Sequence, residues 1–207
     1  MNTNPVRLMF SCLLCLHLDV AWSADSVKIA VVVGLSGSNA IYGEGQLHSF
    51  NAAADIVNAR GGVLGGRKFQ IVPMDHKNTP QEALIQLKRA LDEDIGYIAS
   101  TVSSVVHALS DAVSKHVVRN PDKPVLLLNF NSLDPALTES KCSFWQFRFE
   151  PHADMQLAAL TKFMASQKNL QKVYLLNQDY AFGQGVSKAS REQLNSRRPD
   201  VAIVGDE

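Results

Sequence analysis

The chain has 207 residues, 46% hydrophobic and 19% charged, with 12 Gly and 8 Pro, a composition that excludes a disordered or a collagen-like chain. Lys and Arg together number 20, as do Asp and Glu, so the formal net charge is zero and nucleic acid is not an expected partner, since a polyanion binder carries a basic excess. After residue 21 no apolar run reaches the length that a membrane-spanning helix requires.

Arg7 precedes an apolar stretch from Leu8 to Val20, interrupted by His17 and Asp19, and Ala21-Trp22-Ser23-Ala24 follows. A basic start, an apolar middle and small residues at the end are the parts of a secretory signal. Residues 1–23 are therefore expected to be a signal peptide, cleaved after Ser23 or Ala24. Cys12 and Cys15 form a C-x-x-C inside that segment. Cys142 is then the single cysteine of the mature chain, which leaves no internal disulfide and puts stability on packing.

From Val27 the pattern alternates strand and helix. Val27 to Val33 is a β-branched run stopped by Gly34, the signature of a buried parallel strand. Leu47, Phe50, Ala54 and Val57 share one face of a predicted helix, ended by Gly61-Gly62. Lys68 to Val72 is a second strand, and Pro80 opens a helix with Ala83, Leu87 and Leu91 on its apolar side. Tyr97 to Ser100 is a third strand; Val102, Val106, Leu109, Val113 and Val117 are spaced for a third helix. Pro124 to Leu128 is a fourth strand. Trp145, Phe147 and Phe149 alternate with Gln146, Arg148 and Glu150, which predicts a half-buried strand. A helix from Pro151 to Ala165, a strand at Val173–Leu176, a helix from Gly185 to Leu194 and a strand at Val201–Val204 follow. Repeated β-α-β units predict an α/β fold, a parallel sheet with helices on both faces. The sheet begun at Val173 has only two strands here, so its lobe is expected to be incomplete.

In such sheets the ligand sits outside the carboxyl ends of the strands. The loop from Gly34 to Gly43 lacks G-x-G-x-x-G, and Asp75 stands too far beyond it for a ribose partner. G-x-x-x-x-G-K-[ST], G-x-S-x-G and H-E-x-x-H are absent from the sequence, so no nucleotide, catalytic or metal site is expected, and no cofactor. Ser103 and Ser104 follow the third strand and immediately precede a helix. A hydroxyl there, with the N–H groups of a helix N-terminus, suits a carboxylate; the alternative is a simple helix cap. Asn131 and Ser132, after the fourth strand, offer acceptors for an ammonium group, and Tyr42 offers an aromatic wall.

Several blocks then occur in order: VKIAVVVGLSG from Val27, Ile41-Tyr42-Gly43, VNARGGVLGGR from Val57, DHKNTPQEA from Asp75, Ser103-Ser104, and Asp179-Tyr180-Ala181-Phe182-Gly183. They resemble the type I periplasmic solute-binding proteins of the leucine/isoleucine/valine-binding class, which feed ABC importers. The resemblance implies two α/β lobes closing over a small ligand, an amino acid, with a membrane permease as partner and the periplasm as location. It implies a first lobe at 24–143, a hinge-crossing strand at 144–150 and the start of a second lobe at 151–207. It also implies that Ser103 and Ser104 hold the carboxylate, Asn131 and Ser132 the amine, and that Tyr42 lines the pocket. Phe182 falls where members often carry a tyrosine, so a hydroxyl is lost there. A ligand-sensing domain of a receptor, and a binding protein for aromatic acids or small amides, remain the alternatives.

Overall fold

The computed structural model of the chain describes residues 25–179 and 181–207, so the signal-like segment with Cys12 and Cys15 lies outside the described residues. In β1 (Val27–Val33) the residues from Ala30 to Val33 are completely buried. A run without polar alternation requires cover on both faces. α1 (Ala40–Ala59) provides it on one face, where Leu47 and Phe50 pack against Val31, Val33 and Ala99.

α1 stops where glycines allow positive φ. Gly61 and Gly62 lie at φ 106° and 80°, and their N–H groups donate to the carbonyls of Asn58 and Val57, closing the last turn. The Asn58 side chain then does the work of a strand neighbour. Its Oδ1 accepts from the Phe69 N–H at 2.7 Å and its Nδ2 donates to the Phe69 carbonyl at 2.9 Å, which fixes the start of β2 (Phe69–Asp75).

β2 runs three residues past the predicted end, through Pro73. A proline cannot donate to a ladder, but β2 is an edge strand, where one side needs no partner. α2 (Pro80–Asp92) begins at Pro80, as the sequence predicts, and the Thr79 hydroxyl caps it by accepting from the Glu82 N–H at 3.2 Å. β3 (Tyr97–Ser100), α3 (Ser103–Arg119) and β4 (Leu126–Asn129) follow. Ala83, Leu87, Val106, Leu109 and Val113 bury the apolar faces of α2 and α3 against the other side of the sheet.

The five-stranded sheet has the order β2-β1-β3-β4-β5 and every pair is parallel. β5 is short (Gln146–Arg148), and its buried residue is polar. Gln146 is 8% exposed, whereas Phe147 and Phe149 are 47% and 66% exposed. The register explains it. Gln146 pairs with Leu127, so it shares Leu127's α3-covered face, while Phe147 pairs with Leu128 on the face of α1. α1 packs on β1 and β2, at the far side of the sheet, and leaves the β5 edge open.

α4 (Ala153–Ser166), β6 (Lys172–Leu175), α5 (Ala181–Arg197) and β7 (Ala202–Asp206) make a second unit, with β6 and β7 paired parallel. α4 and α5 pack together. Arg198 locks their far ends, its guanidinium donating to the carbonyls of Met164, Gln167 and Leu170.

Candidate functional site

The strand order reverses between β1 and β3, so the loops leaving these strands diverge to opposite faces and open a crevice at their carboxyl ends. A cavity of about 260 Å³ lies there. Gly34 follows β1 into it; Thr101, Val102 and Ser103 follow β3; Asn131 and Leu133 follow β4. Asn39, Tyr42, Gly43 and Gln46 face it from the start of α1, Asn78 from the loop after β2, and Gln178 and Phe182 from the second unit. No charged side chain lines it among the described residues.

Two glycines bring the walls together. A Cβ on Gly43 would overlap the carbonyl of Gly34, and one on Gly183 would overlap that of Gln178. Each helix can therefore rest its first turn directly on the loop after the preceding strand. That approach carries Tyr42 and Phe182 to the cavity.

The opening of α3 differs from that of α2. Its N-cap is Val102, at φ 64° and ψ 115°, with no side-chain cap. A β-branched residue avoids this backbone region, and such strain concentrates at functional sites. Ser103 and Ser104 are thus the first two residues of the helix, rather than residues preceding it, and neither is the N-cap. Ser103 is buried against the cavity, and the Ser132 hydroxyl donates to its Oγ at 3.1 Å, which leaves the Ser103 proton to be given elsewhere. Ser132 stands behind Ser103. Its N–H donates to Asn129 Oδ1 at 2.7 Å, and its carbonyl accepts from Asn129 Nδ2 at 3.0 Å and from Arg148 at 2.7 Å.

Of the residues singled out from the sequence, Tyr42, Ser103, Asn131 and Phe182 meet around this cavity; Ser104 and Ser132 do not line it. Sequence reasoning passed over Gln46, Asn78, Thr101 and Gln178. Gln46 stands one helical turn after Tyr42, and Thr101 and Gln178 follow strands, so helical spacing and the strand-end rule both pointed to them.

Around the cavity, polar groups are paired closely. Asp75 Oδ1 accepts from the N–H groups of Leu35 at 2.9 Å and Lys77 at 2.8 Å. Burial pushes this carboxyl up, but hydrogen bonds from Ser36, Lys77 and Leu35 outweigh it and hold its pKa below 3.8. On the other side Asp134 meets His107 Nε2 at 2.7 Å and accepts from the Ala136 N–H at 3.0 Å. Burial raises Asp134 as well, and these bonds again bring it below 3.8. The Arg148 guanidinium donates to the Asp134 carbonyl, which ties β5 to the loop carrying Asn131 and Leu133.

Comparison with known proteins fits this geometry. The family model described as "Periplasmic binding protein" matches residues 26–207. The chain is 33% identical to a Leu/Ile/Val-binding protein homolog of Brucella abortus over 167 residues, 78% of this chain and 39% of that one. It superposes on a leucine-, isoleucine-, valine-, threonine- and alanine-binding protein of Brucella ovis, crystallised closed, with a TM-score of 0.72 and 30% identity over 88% of this chain and 47% of the other. A solute-binding protein of Rhodopseudomonas palustris, solved with 3,4-dihydroxybenzoic acid, shares the fold at a TM-score of 0.71 and 18% identity, over 88% of this chain and 47% of that one. The chain thus spans about half the length of the relatives it matches or less.

Proposed function

The chain belongs to the periplasmic binding protein family, and from that premise we propose that it is the extracytoplasmic ligand-binding component of an ABC importer, capturing a branched-chain or related aliphatic amino acid between two lobes. In this reading residues 24–143 form the first lobe, 144–150 the crossing strand and 151–207 the start of the second. The family is one of binding proteins and no catalysis is proposed. Family membership and the signal-like segment together support export to the periplasm, where a membrane permease is the partner.

The observation that carries the proposal is the uncapped N-terminus of α3 in a cavity that no charged side chain lines among the described residues. Its N–H groups, its dipole and the Ser103 hydroxyl together favour a single carboxylate. With no Arg or Lys in the lining among the described residues, a multiply charged phosphate lacks the cations it needs. Tyr42, Leu133 and Phe182 add apolar wall for an aliphatic side chain. A second reading, an aromatic acid, rests on the two aromatic rings in that wall and on the dihydroxybenzoate bound by the R. palustris protein.

Calorimetry with L-leucine, 3,4-dihydroxybenzoate and an uncharged amide separates these readings. L-leucine is expected to bind, and Ser103→Ala to weaken it by about 1–3 kcal/mol, the range for a hydrogen bond to a charged group. Binding of the amide alone, or equal affinity in the variant, overturns the carboxylate assignment.

A further inference from the structure

We propose that His76 is a positioning residue for this ligand site: its neutral imidazole, accepting at Nδ1, fixes Asn78 and through the Asn78 amide holds the Ser36–Asn39 loop at the rim of the cavity. What the rim does rests on the function proposed above; how it is held does not.

His76 is completely buried one residue beyond β2. Its N–H donates to the Val33 carbonyl at 3.0 Å, and its own carbonyl accepts from the Thr79 N–H at 2.9 Å. The ring does something separate. Nδ1 accepts from the Asn78 N–H at 2.9 Å, so Nδ1 is unprotonated and the proton sits on Nε2. Nε2 is buried and has no hydrogen-bond partner. An unpaired buried donor is destabilising, and an apolar side chain of similar size avoids that cost. A histidine is therefore explained at this position by what its Nδ1 does.

What Nδ1 does is hold an unusual turn. Lys77 and Asn78 lie at φ 47° and 58°, left-handed conformations that side chains rarely adopt. Each amide of the turn has its own acceptor, Asp75 Oδ1 for Lys77 and His76 Nδ1 for Asn78. So fixed, Asn78 reaches across with both ends of its side chain. Oδ1 accepts from Asn39 Nδ2 at 3.2 Å and Nδ2 donates to the Ser36 carbonyl at 3.5 Å. Gly34 makes room for the contact: a Cβ there would stand 2.5 Å from Asn78 Oδ1 and 3.3 Å from the imidazole Cε1. Gly34, Asn39 and Asn78 all line the cavity.

The charged group acting on the ring is Asp75 beside it; Lys77, next in the chain, pairs with Glu82 of α2 at 3.5 Å. Gly34, which follows β1 and approaches the ring, carries no side chain, and Asn39, before α1, meets Asn78 with a neutral amide. Burial lowers the imidazole pKa below 6.5, against the pull of Asp75. Protonation turns Nδ1 into a donor and removes the acceptor of the Asn78 N–H. The clamp is intact at neutral pH and opens as pH falls below the ordinary histidine range.

The test uses the full chain and two variants. His76→Asn places an amide oxygen near the Nδ1 position and cannot titrate; His76→Leu fills the space with no acceptor. L-leucine affinity, measured by calorimetry as the pH is lowered from 8 to 4, is expected to fall about fivefold or more in the parent towards the acid end, the equivalent of one lost hydrogen bond. It should stay level in His76→Asn and be weak throughout in His76→Leu. Amide hydrogen exchange at Asn78 without ligand reads the clamp directly: protection should drop in His76→Leu, and in the parent at acid pH, but not in His76→Asn. If L-leucine fails to bind while Asn78 follows this pattern, the functional reading falls and the clamp stands. Equal acid sensitivity in the parent and His76→Asn, by either measurement, overturns the clamp, as does full Asn78 protection in His76→Leu. Should His76→Leu not fold, the parent and His76→Asn profiles decide alone.

Discussion

β1 and β6 open the same kind of unit, a parallel strand followed by a helix and another strand, but the two units bury their residues very differently. Around β1, sixteen buried residues form one cluster on the α2–α3 face, and a second cluster lies under α1. Around β6, Tyr174, Leu176 and Val204 stay exposed, and α4 leaves Met155, Leu160 and Phe163 in solvent. What is buried there comes mainly from the contact of α4 with α5 and includes Thr161, Ser190 and Leu194. The strand pattern alone does not produce a core. A strand is buried when other elements cover both faces, and five strands under three helices achieve what two strands with two helices do not.

The same substitution in the two units gives the widest contrast. Leu109→Ala, at a completely buried position inside the main cluster, is expected to cost about 3–5 kcal/mol, because tight surroundings cannot collapse into the cavity. Leu194→Ala, equally apolar and 2% exposed, should cost closer to about 2 kcal/mol, since its thinner surroundings relax. Denaturant unfolding of both variants measures the gap; equal losses would mean that the second unit is packed as rigidly as the first.

Acidification probes the joint between the units. Asp134 is held below its ordinary pKa of 3.8 by His107 and the Ala136 N–H, against the effect of burial. Its contribution to stability is present above about pH 4 and is lost as pH falls through the carboxylate range towards its lowered value. The midpoint of guanidinium unfolding should therefore fall between pH 5 and pH 3, and less steeply once His107→Gln has removed the imidazole partner. An unchanged slope in that variant would show that the pair does not stabilise the loop. The smallest effect is expected at Phe163, 63% exposed on α4. Phe163→Ser should change the stability of this chain by no more than about 0.5 kcal/mol, and a larger loss would reveal a partner for that face.

Local chemistry made much of the fold legible. The Val27–Val33 run, the Pro80 start of α2 and the period of Val106, Leu109 and Val113 each satisfy their own short-range requirement, and all three appear where the sequence places them. The parallel α/β architecture follows from their alternation. The cavity was legible in part, because the strand-end rule names loops and several lining residues lie in them. It does not name which side chain of a loop turns inward: Asn131 lines the cavity, whereas Ser132 beside it stands behind Ser103.

What the sequence determined by itself is whatever depends on neighbours a few residues away: strand and helix type, the glycine stop after α1, the Pro80 start of α2. Tertiary structure alone decided which face of β5 is covered, so that Gln146 is buried and Phe147 is not. It alone decided that Val102 takes a left-handed φ and leaves α3 uncapped, and that the Asn78 side chain reaches Ser36. The physical reason is common to all three. Propensity and periodicity describe a residue's preference within its own segment, whereas burial and side-chain partners depend on which other segments arrive at that point in space.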